Sequence, residues 1–323
     1  MQQEIRFATF NVFNLAPPGA KLYENLLPST QAEYEAKLDW TARQLDLLDA
    51  DVVGFQEIFS QAALREVLRR TRKYRDAFHV GFDPDPAAAR LTPSVALVSR
   101  LPLAEPGRAH TLYPDGVALP EGTREADRFS RPVIHAAVVV SPDVTLDVVV
   151  VHLKSKRPDY RDGDSGEDPL LFGLACLRSL VRRGTEAVAL RVLMANMARQ
   201  NGRGQVVLGD FNDVADSVTT TIVLGVGTPM TGRLFDSYQL QRRQDHLRHV
   251  AWSILHEGQY TTIDHILVSE HFNPALPNAI GEVVDVVYLN DHLVLGLAEA
   301  SDHGQVLTRL RLFDQVRDFG EAA

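Results

Sequence analysis

Acidic, amide and imidazole side chains recur in this sequence at the ends of apolar, valine-rich runs. The set comprises Asn11, Asn14, Gln56, Glu57, His152, Lys154, Asp210, Asn212, Asp213, Asp264, His265, Asp302 and His303. Because charges beside an apolar core are costly unless something pairs them, a bound divalent cation is a candidate partner. Oxygen ligands without cysteine indicate Mg²⁺, Mn²⁺ or Ca²⁺ rather than structural zinc.

The apolar runs predict the strands that position these residues. They span 4–13, 51–58, 94–100, 133–140, 145–153, 205–211, 262–269, 283–289 and 303–312. Most are apolar on both faces, which is typical of buried strands in a layered α/β protein. Strand ends gather along one edge of a sheet, so we expect the polar residues to converge in one crevice. Two packed sheets would bury such strands, but the pattern does not give their order.

Helical patterns lie between the strands. Residues 31–49 carry an apolar stripe that includes Tyr34, Leu38 and Leu45. A second helix is expected to begin after Ser60 as its N-cap, and a third near Thr185. The third helix is expected to bury Val188, Val192 and Met197. Loops are predicted at 83–93, 105–125 and 157–169.

Length and composition are those of an ordinary globular protein, with 323 residues, 45% of them apolar and 23% charged. No linker or repeat divides the sequence, so we expect residues 1–323 to form a single domain. A net charge of −9 disfavours a globally basic nucleic-acid binder but permits a local basic groove. The single cysteine, Cys176, excludes an intramolecular disulfide and a cysteine-based zinc site.

The start of the sequence, MQQEIRFATF, lacks the order of a signal peptide. No run of apolar residues is long enough for a membrane-spanning helix. We therefore expect a cytoplasmic protein without a transmembrane segment. Nothing in the sequence indicates a protein partner.

Seven short motifs occur in a characteristic order: FNVFN, GFQEI, FSRP, VVHLKS, GDFND, TIDHILVS and SDH. This set resembles the endonuclease/exonuclease/phosphatase superfamily of deoxyribonuclease I-like phosphoesterases, from Asn11 to His303. Any one motif alone would be weak, but the ordered combination is specific. The resemblance implies a four-layer α/β sandwich, with two packed mixed β-sheets flanked by helices. It also implies metal-dependent cleavage of phosphate esters.

The resemblance assigns several residues to the metal and the substrate phosphate. Glu57 matches the position that ligates Mg²⁺ directly, with Mn²⁺ as a possible replacement. Asn11 supports the metal or the phosphate, and Arg131 in FSRP holds the phosphate. Asp302 is either a metal ligand or the partner of His303.

Other positions match the catalytic residues of the family. His152 faces the phosphoryl oxygens and stabilises the transition state, and Asp210 and Asn212 orient the attacking water and the phosphate. His303 is the general base or a phosphate-binding acid, and Asp264 is the acidic residue of the penultimate strand motif. Asp210 and His303 are therefore the candidates that take the proton of the water.

One departure from the family pattern concerns His152. Relatives close to pancreatic deoxyribonuclease carry a second glutamate that pairs with this histidine, and the corresponding stretch RLTPSVALVSR contains none. His152 either lacks an orienting carboxylate or borrows one from elsewhere. The sequence also has no GxSxG motif and no Cys–His pair, so direct attack by water is favoured over a covalent intermediate.

The substrate class depends on the basic residues near the proposed site. Lys154, Lys156 and Arg157 follow His152 and suit a polyanion, so a nuclease is the leading hypothesis. The alternatives are a phosphatase or phospholipase-type enzyme acting on an inositol phosphate or sphingomyelin, and a binding protein that has lost catalysis. His265 is expected to be a hydrogen-bonded core residue. The basic run at 65–75 is more simply a solvated helix end.

Overall fold

The computed structural model describes residues 3–83, 90–120, 127–161, 163–226, 232–241 and 251–314. Residues 84–89, 121–125 and 162, which belong to the three predicted loops, lie outside this part of the chain. No helix among the described residues is long and apolar enough to cross a membrane.

The described chain alternates strands and helices. The strands are β1 (Glu4–Leu15), β2 (Val52–Ile58), β3 (Phe78–Gly81), β4 (Ser94–Ser99), β5 (Arg108–Leu112), β6 (Arg128–Ser141), β7 (Val144–His152), β8 (Gly204–Asp210), β9 (Leu234–Asp236), β10 (Ile254–His256), β11 (Gln259–Thr261), β12 (Asp264–Ser269), β13 (Gly281–Leu289) and β14 (Gln305–Leu312). The helices are α1 (Gln31–Leu48), α2 (Gln61–Arg70), α3 (Pro169–Asn201), α4 (Val218–Leu224) and α5 (Ser237–Leu240). Two short 3-10 helices cover Glu270–Phe272 and Asp291–Val294.

Twelve of the strands form two mixed six-stranded sheets. The first has the order β13-β14-β1-β2-β4-β3, and the second has the order β5-β6-β7-β8-β12-β9. Each sheet contains one parallel pair at its centre, β1–β2 in the first and β7–β8 in the second. The remaining pairs in both sheets are antiparallel.

Three hydrophobic cores separate four layers. The central core lies between the sheets and joins residues such as Phe7 and Val52 to Val148 and Leu208. A second core packs α1 and α2 on the outer face of the first sheet, and a third packs α3 and α4 on the second. The fold is therefore the predicted four-layer α/β sandwich of the deoxyribonuclease I-like type.

The two sheets approach closely at Gly54 in β2. A Cβ atom at this position would lie 1.9 Å from Leu208 Cδ1 and 2.9 Å from Val150 Cγ2 of the other sheet. Only glycine fits this contact without moving the central core. The side chains of Leu208 and Val150 therefore pack directly against the backbone of β2 at this point.

All nine predicted strands and the first two helices are present. Thr30 forms a capping box with Glu33 at α1, and Ser60 caps α2 as predicted. Several short strands were not predicted, including β3, β9 and the β10–β11 hairpin. The predicted loop at 105–125 is wrong for Arg108–Leu112, which form the edge strand β5.

The predicted start of the third helix near Thr185 is wrong. α3 begins at Pro169, where the Asp168 side chain accepts from the backbone N–H groups of Leu170 and Leu171. Asp before Pro is a good N-cap and first-turn pair, but the apolar residues that follow it do not mark a buried face. Val188, expected to face the core, is 39% exposed.

Candidate active site

Asp210 lies at the centre of a cluster of polar side chains at one end of the two sheets. It ends β8, and its backbone pairs with His152 at the end of β7 and with Asp264 at the start of β12. From the facing sheet, Asn11 Nδ2 donates a hydrogen bond of 3.2 Å to Asp210 Oδ2. All four side chains are buried. The strand ends thus bring residues from both sheets into one crevice, as the sequence pattern predicted.

The backbone is irregular where the strands meet this crevice. The register of β1 against β2 shifts after Asn11, and that of β2 against β4 shifts beside Glu57. Left-handed φ angles occur at Phe13 (54°), Asn14 (58°), Glu57 (60°) and Asn212 (53°). Such angles are unfavourable for residues other than glycine, and they concentrate at sites where a side chain must be aimed.

His303 and Asp264 form a buried hydrogen-bonded pair. His303 Nδ1 and Asp264 Oδ2 lie 2.8 Å apart. Burial alone would lower the pKa of His303, but the charges of Asp264, Asp210 and Asp302 outweigh it and hold this pKa well above its usual range. The imidazole of His303 is therefore favoured in its charged form near neutral pH.

Asp210 and Asp264 crowd two carboxylates into the same buried space. Ligand atoms of Asp210, Asp264 and His303 all lie within 4.8 Å of one another. Burial, and then the charge of Asp264, raise the pKa of Asp210 to about 7. This cluster can therefore accept a proton in the pH range in which most enzymes work.

His152 differs from His303 in having no carboxylate on Nδ1. Within the described chain, this buried atom has no hydrogen-bond partner. Its Nε2 lies 3.4 Å from Asp210 Oδ2. Burial, followed by the positive charges of Arg131 and His303, lowers the pKa of His152 well below its usual value. The ring is consequently neutral, and it lacks the orienting glutamate that is also missing from the sequence.

Glu57 and Asn14 supply oxygen atoms beside this cluster. The Glu57 carboxylate accepts a hydrogen bond of 3.0 Å from the Asn14 backbone N–H. Burial is the main cause of the raised pKa of Glu57, opposed by the charge of His303 and reinforced by Asp302. Two buried oxygens, Asn14 Oδ1 and Asp264 Oδ1, have no hydrogen-bond partner within the described residues. Unsatisfied oxygens among several carboxylates fit a divalent cation, which members of this fold generally use.

The residues predicted to bind phosphate take different positions. Arg131 Nη1 donates to the carbonyl of Leu153 at 3.4 Å. The positive charge of Arg131 contributes to the lowered pKa of His152. Lys154 Nζ instead donates to the carbonyls of Ser155 and Arg157, each at 3.3 Å. The ammonium group of Lys154 is thus already bonded within its own loop.

Other predicted residues are placed as follows. Asn212 Nδ2 donates to the Leu153 carbonyl at 2.9 Å, and its backbone N–H donates to Asp210 Oδ1 at 2.8 Å. Asp302 Oδ1 lies 4.0 Å from His303 Nε2, and its side chain is 52% exposed. Asp264, rather than Asp302, is therefore the hydrogen-bond partner of His303. His265 is buried between Asp236 and the carbonyl of Asp213, as expected of a core histidine.

Two residues near the site were not singled out from the sequence. Ser301 Oγ donates to the Asn11 carbonyl at 2.7 Å and accepts from the His303 backbone N–H at 3.0 Å, which ties β1 to the SDH motif. Lys37 of α1 places its ammonium group 5.6 Å from the ring centre of Phe13 and donates to the Ala300 carbonyl. Burial lowers the pKa of Lys37 to about 8. Ser301 directly precedes the motif and could have been suspected, whereas a lysine on an amphipathic helix gives no such signal.

Residues 8–303 match the sequence profile of the Endonuclease/Exonuclease/phosphatase family. The chain belongs to this family, whose members are hydrolytic phosphoesterases. No curated protein matches the sequence.

Solved structures with the same fold are distant in sequence. The Bacteroides thetaiotaomicron VPI-5482 mannosyl-6-phosphatase has a TM-score of 0.59 and 14% identity, over 95% of this chain and 99% of its own. The human Nocturnin catalytic domain with a bound sulfate anion has a TM-score of 0.59 and 14% identity, over 97% and 98%. Truncated Caenorhabditis elegans TDP2 has a TM-score of 0.59 and 11% identity, over 95% and 98%. At these identities the likeness defines the fold and leaves the substrate open.

Proposed function

We propose that this protein is a Mg²⁺-dependent phosphodiester hydrolase and that its substrate is a nucleic acid. The observation that carries the proposal is the buried cluster of Asp210, Asp264 and His303, whose ligand atoms lie within 4.8 Å of one another. Glu57 supplies a further carboxylate and Arg131 a cation at the same place. An anionic phosphodiester needs both positive charge and an activated water, and this arrangement offers the groups for each.

The residues of this chain have distinct roles in the proposed reaction. Asp210, whose pKa is raised to about 7, accepts the proton of the attacking water. Asn11 and Asn212 orient that water and the phosphate. The charged His303, fixed by Asp264, donates to a phosphoryl oxygen as negative charge builds on it.

Positive charge on the substrate side comes from Arg131, and the neutral His152 adds a hydrogen-bond donor. Glu57, with Asn11 and Asp302 near it, would hold the cation. A divalent cation held there would supply the positive charge that an anionic phosphodiester needs as it is cleaved. No covalent intermediate with the protein is required.

The metal assignment is tested by Glu57→Gln, which keeps the shape of the side chain but removes its charge. We expect loss of activity at limiting Mg²⁺ and a higher metal concentration for half-maximal rate. Glu4→Gln, at the opposite end of β1 from Asn11, is the matched control. Full activity of Glu57→Gln at low Mg²⁺ would remove Glu57 from the site.

A second candidate, a phosphatase acting on a small phosphate ester, is favoured by one observation. Lys154 is bonded to loop carbonyls, and Lys156 Nζ lies 2.8 Å from Asp213 Oδ1. Arg70 of the basic run pairs with Glu35 and Asp39 at the surface. These cations are therefore not free to follow a nucleic-acid backbone.

The two candidates differ in their dependence on salt. For duplex DNA, the log–log slope of affinity against salt is about −0.9 for each phosphate contacted. Lys154→Ala should make this slope shallower if the ammonium group leaves the loop carbonyls to contact a phosphate. A KM that does not depend on salt would indicate a small substrate instead. The decisive panel contains duplex, single-stranded and abasic DNA, RNA, inositol phosphates, sphingomyelin and mannose 6-phosphate, each with Mg²⁺, Mn²⁺ or chelator. Absence of hydrolysis throughout would leave a binding function.

A further inference from the structure

A contact between Tyr23 and Arg157 joins the two sides of the crevice. Tyr23 belongs to the segment between β1 and α1, on the side of the first sheet, and Arg157 to the segment between β7 and α3, on the side of the second. Both segments begin where β1 and β7 end at the candidate active site. The guanidinium carbon of Arg157 lies 5.9 Å from the centre of the Tyr23 ring, within the range of a cation–π interaction.

Tyr23 is held in place by packing on the first sheet. Its ring meets that of Phe59 edge-on, with 5.9 Å between the ring centres. Phe59 is buried and comes two residues after Glu57. The segment of Tyr23 is fastened by a hydrogen bond of 3.1 Å from the Leu91 backbone N–H to the Lys21 carbonyl. Leu91 also packs against the small apolar core that contains Phe59. The position of the Tyr23 ring is therefore set by the protein itself.

The backbone of Arg157 is fixed from the second sheet's side. Its carbonyl accepts a hydrogen bond of 2.6 Å from Ser179 Oγ of α3 and one of 3.3 Å from Lys154 Nζ. The residue itself is exposed. Arginine carries five N–H donors in a rigid plane, and a phosphate can accept two of them at once. Arg157 thus offers a positioned donor at the edge of the crevice.

The surroundings of the Tyr23 hydroxyl are rich in positive charge. Burial is the main cause of the raised pKa of Tyr23. The charge of Glu57 adds to it, and the charges of Arg131, Arg157 and Arg90 oppose it. Among the described residues, none of these three arginines forms an ion pair. Guanidinium groups that converge without ion pairs repel one another, and an anion between them would offset this repulsion.

The two lysines before Arg157 are engaged within the protein. Lys154 Nζ donates to loop carbonyls, and Lys156 Nζ lies 2.8 Å from Asp213 Oδ1. Within residues 154–157, Arg157 is therefore the cation left to bind a substrate. Arg131 is assigned to the phosphate that is cleaved, so Arg157 is available to another anionic group next to it.

We propose that Tyr23 and Arg157 form a subsite for a second phosphate, next to the phosphate that is cleaved. The subsite rests on the proposed function, since that function places the first phosphate at Arg131 and the cation at Glu57. The Tyr23 hydroxyl and the Arg157 guanidinium both donate to the second phosphate. The substrate class is thereby narrowed to esters that carry two phosphates close together. Such pairs occur along a nucleic-acid strand and in small bisphosphates.

The test compares ligands that differ by one phosphate and does not require turnover. Binding of thymidine 3′,5′-bisphosphate and of thymidine 5′-monophosphate to the full chain is measured by isothermal titration calorimetry with Mg²⁺. We expect the bisphosphate to bind about tenfold more tightly, the effect of a charge-assisted hydrogen bond. Inositol 4,5-bisphosphate and inositol 4-phosphate form a second pair. A preference in the thymidine pair supports a nucleic acid as the source of the second phosphate, and one in the inositol pair alone supports a small ester.

Variants assign the preference to the two residues. Arg157→Ala should remove the tenfold preference almost entirely, and Arg157→Lys, which keeps the charge but not the planar fork, should retain part of it. Tyr23→Phe keeps the ring against Phe59 and should lower the preference about threefold, the effect of one neutral hydrogen bond. Arg199→Ala is the control with the same change in net charge. Arg199 is exposed in the last turn of α3, at the far end of β8 from Asp210, and its loss should leave the preference unchanged.

A wild-type protein that binds neither bisphosphate more tightly than its monophosphate would overturn the subsite. Arg157→Ala with the full preference would do the same, and Tyr23→Phe with the full preference would remove the Tyr23 hydroxyl from it. Thermal melting of each variant shows whether it folds, and Tyr23→Phe and Arg157→Lys carry the test if Arg157→Ala does not. Failure of the proposed function has a different signature, because it appears as absence of Mg²⁺-dependent hydrolysis in the substrate panel.

Discussion

His152 and His303 lie in the same crevice, and both are buried, yet their surroundings make one ring neutral and the other positively charged. His303 Nδ1 is 2.8 Å from Asp264, and its pKa is held well above the usual value. His152 Nδ1 has no hydrogen-bond partner in the described chain, and burial drives its pKa well below that value. His303, next to the first sheet, is thus a cation, whereas His152, in the second sheet, is a neutral hydrogen-bond donor.

The difference shows that an oriented carboxylate, not burial, decides what a histidine can do. Burial acts on both rings in the same direction, by disfavouring the charged form. His152 Nε2 lies 3.4 Å from Asp210, but only His303 of the two has a carboxylate at hydrogen-bond distance from its Nδ1, that of Asp264. A charged ring can give up a proton during the reaction, whereas the neutral ring of His152 can offer only a hydrogen bond.

The largest expected effect follows from removing the charged ring. His303→Ala should lower kcat by about 10²–10⁴, because this is the usual contribution of a general acid or base. KM should change much less, and the thermal melting curve should remain cooperative. Steady-state kinetics on the best substrate of the panel measures the effect. A near-normal kcat, or an unfolded variant, would make His303 a structural residue.

A double variant tests whether His303 and Asp210 work together. Residues that act as a unit are not additive, so His303→Ala with Asp210→Asn should be little worse than the poorer single variant. If the kcat of the double variant is instead lowered by the product of the two single effects, His303 and Asp210 act independently.

Asp264→Asn should make His303 resemble His152. Without the carboxylate, burial becomes the dominant influence and the pKa of His303 should fall. We expect kcat to fall by a factor of about 10². In an NMR titration, the His303 ring should lose its proton at a lower pH than in the wild-type protein. The titration of His110 in β5 should not change, which makes it the internal control, because burial, His135 and Arg108 set its pKa. An unaltered His303 titration would mean that Asp264 does not set its charge.

His152→Gln should have a smaller effect, because glutamine can still donate a hydrogen bond. A loss of about tenfold is expected, below the 10²–10³ seen when a transition-state donor is removed altogether. The pH profile of kcat/KM should keep its shape, since a neutral ring contributes no titration in this range. A changed profile would show that His152 exchanges a proton after all.

The smallest effect concerns stability and pH in the metal-free protein. The folded pKa values of Asp210 and His303 are both raised. Each group therefore contributes stability that is fully present below its unfolded pKa and lost as pH rises through its folded pKa. For Asp210 this window runs from its ordinary value of 3.8 to about 7.

Thermal denaturation in chelator should show stability falling across that window. In Asp210→Asn, the decrease in the free energy of unfolding across this window should be smaller by roughly 1 kcal/mol or more, because asparagine does not titrate. Asp39→Asn at the surface is the control. An equally steep fall in Asp210→Asn would assign the pH dependence to other groups.

The sequence predicted the layers of this fold because its long strands are valine-rich and buried on both faces. It did not predict short edge strands such as β5 or β9, which have few residues and little apolar pattern. The start of α3 at Pro169 could not be predicted from the apolar pattern, for a different reason. Most of the large apolar residues in its first turns are exposed, namely Leu170, Phe172, Leu174, Leu177 and Leu180. Gly173 and Gly184 also weaken the local helix preference.

The positions of the candidate site residues were also visible in the sequence, since they end strands in recognisable motifs. Their pairings were not. Asp302 is adjacent to His303 in sequence, but the carboxylate that accepts the hydrogen bond of His303 Nδ1 is that of Asp264. The pairing of β12 with β8 brings Asp264 into the crevice. The direction of the Lys154 side chain depends on the loop after His152 and on Ser179 of α3, which no local pattern reports.

The position of β14 has a consequence for how the chain is made. This last strand of the described chain lies between β13 and β1 in the first sheet, and it pairs Thr9 with Val306 across nearly the whole sequence. While the chain is still being synthesised, β1 has an unfilled edge and the crevice lacks His303. Such distant pairing is slow to form. The proposed active site is therefore completed in the same step that pairs β14 with β1.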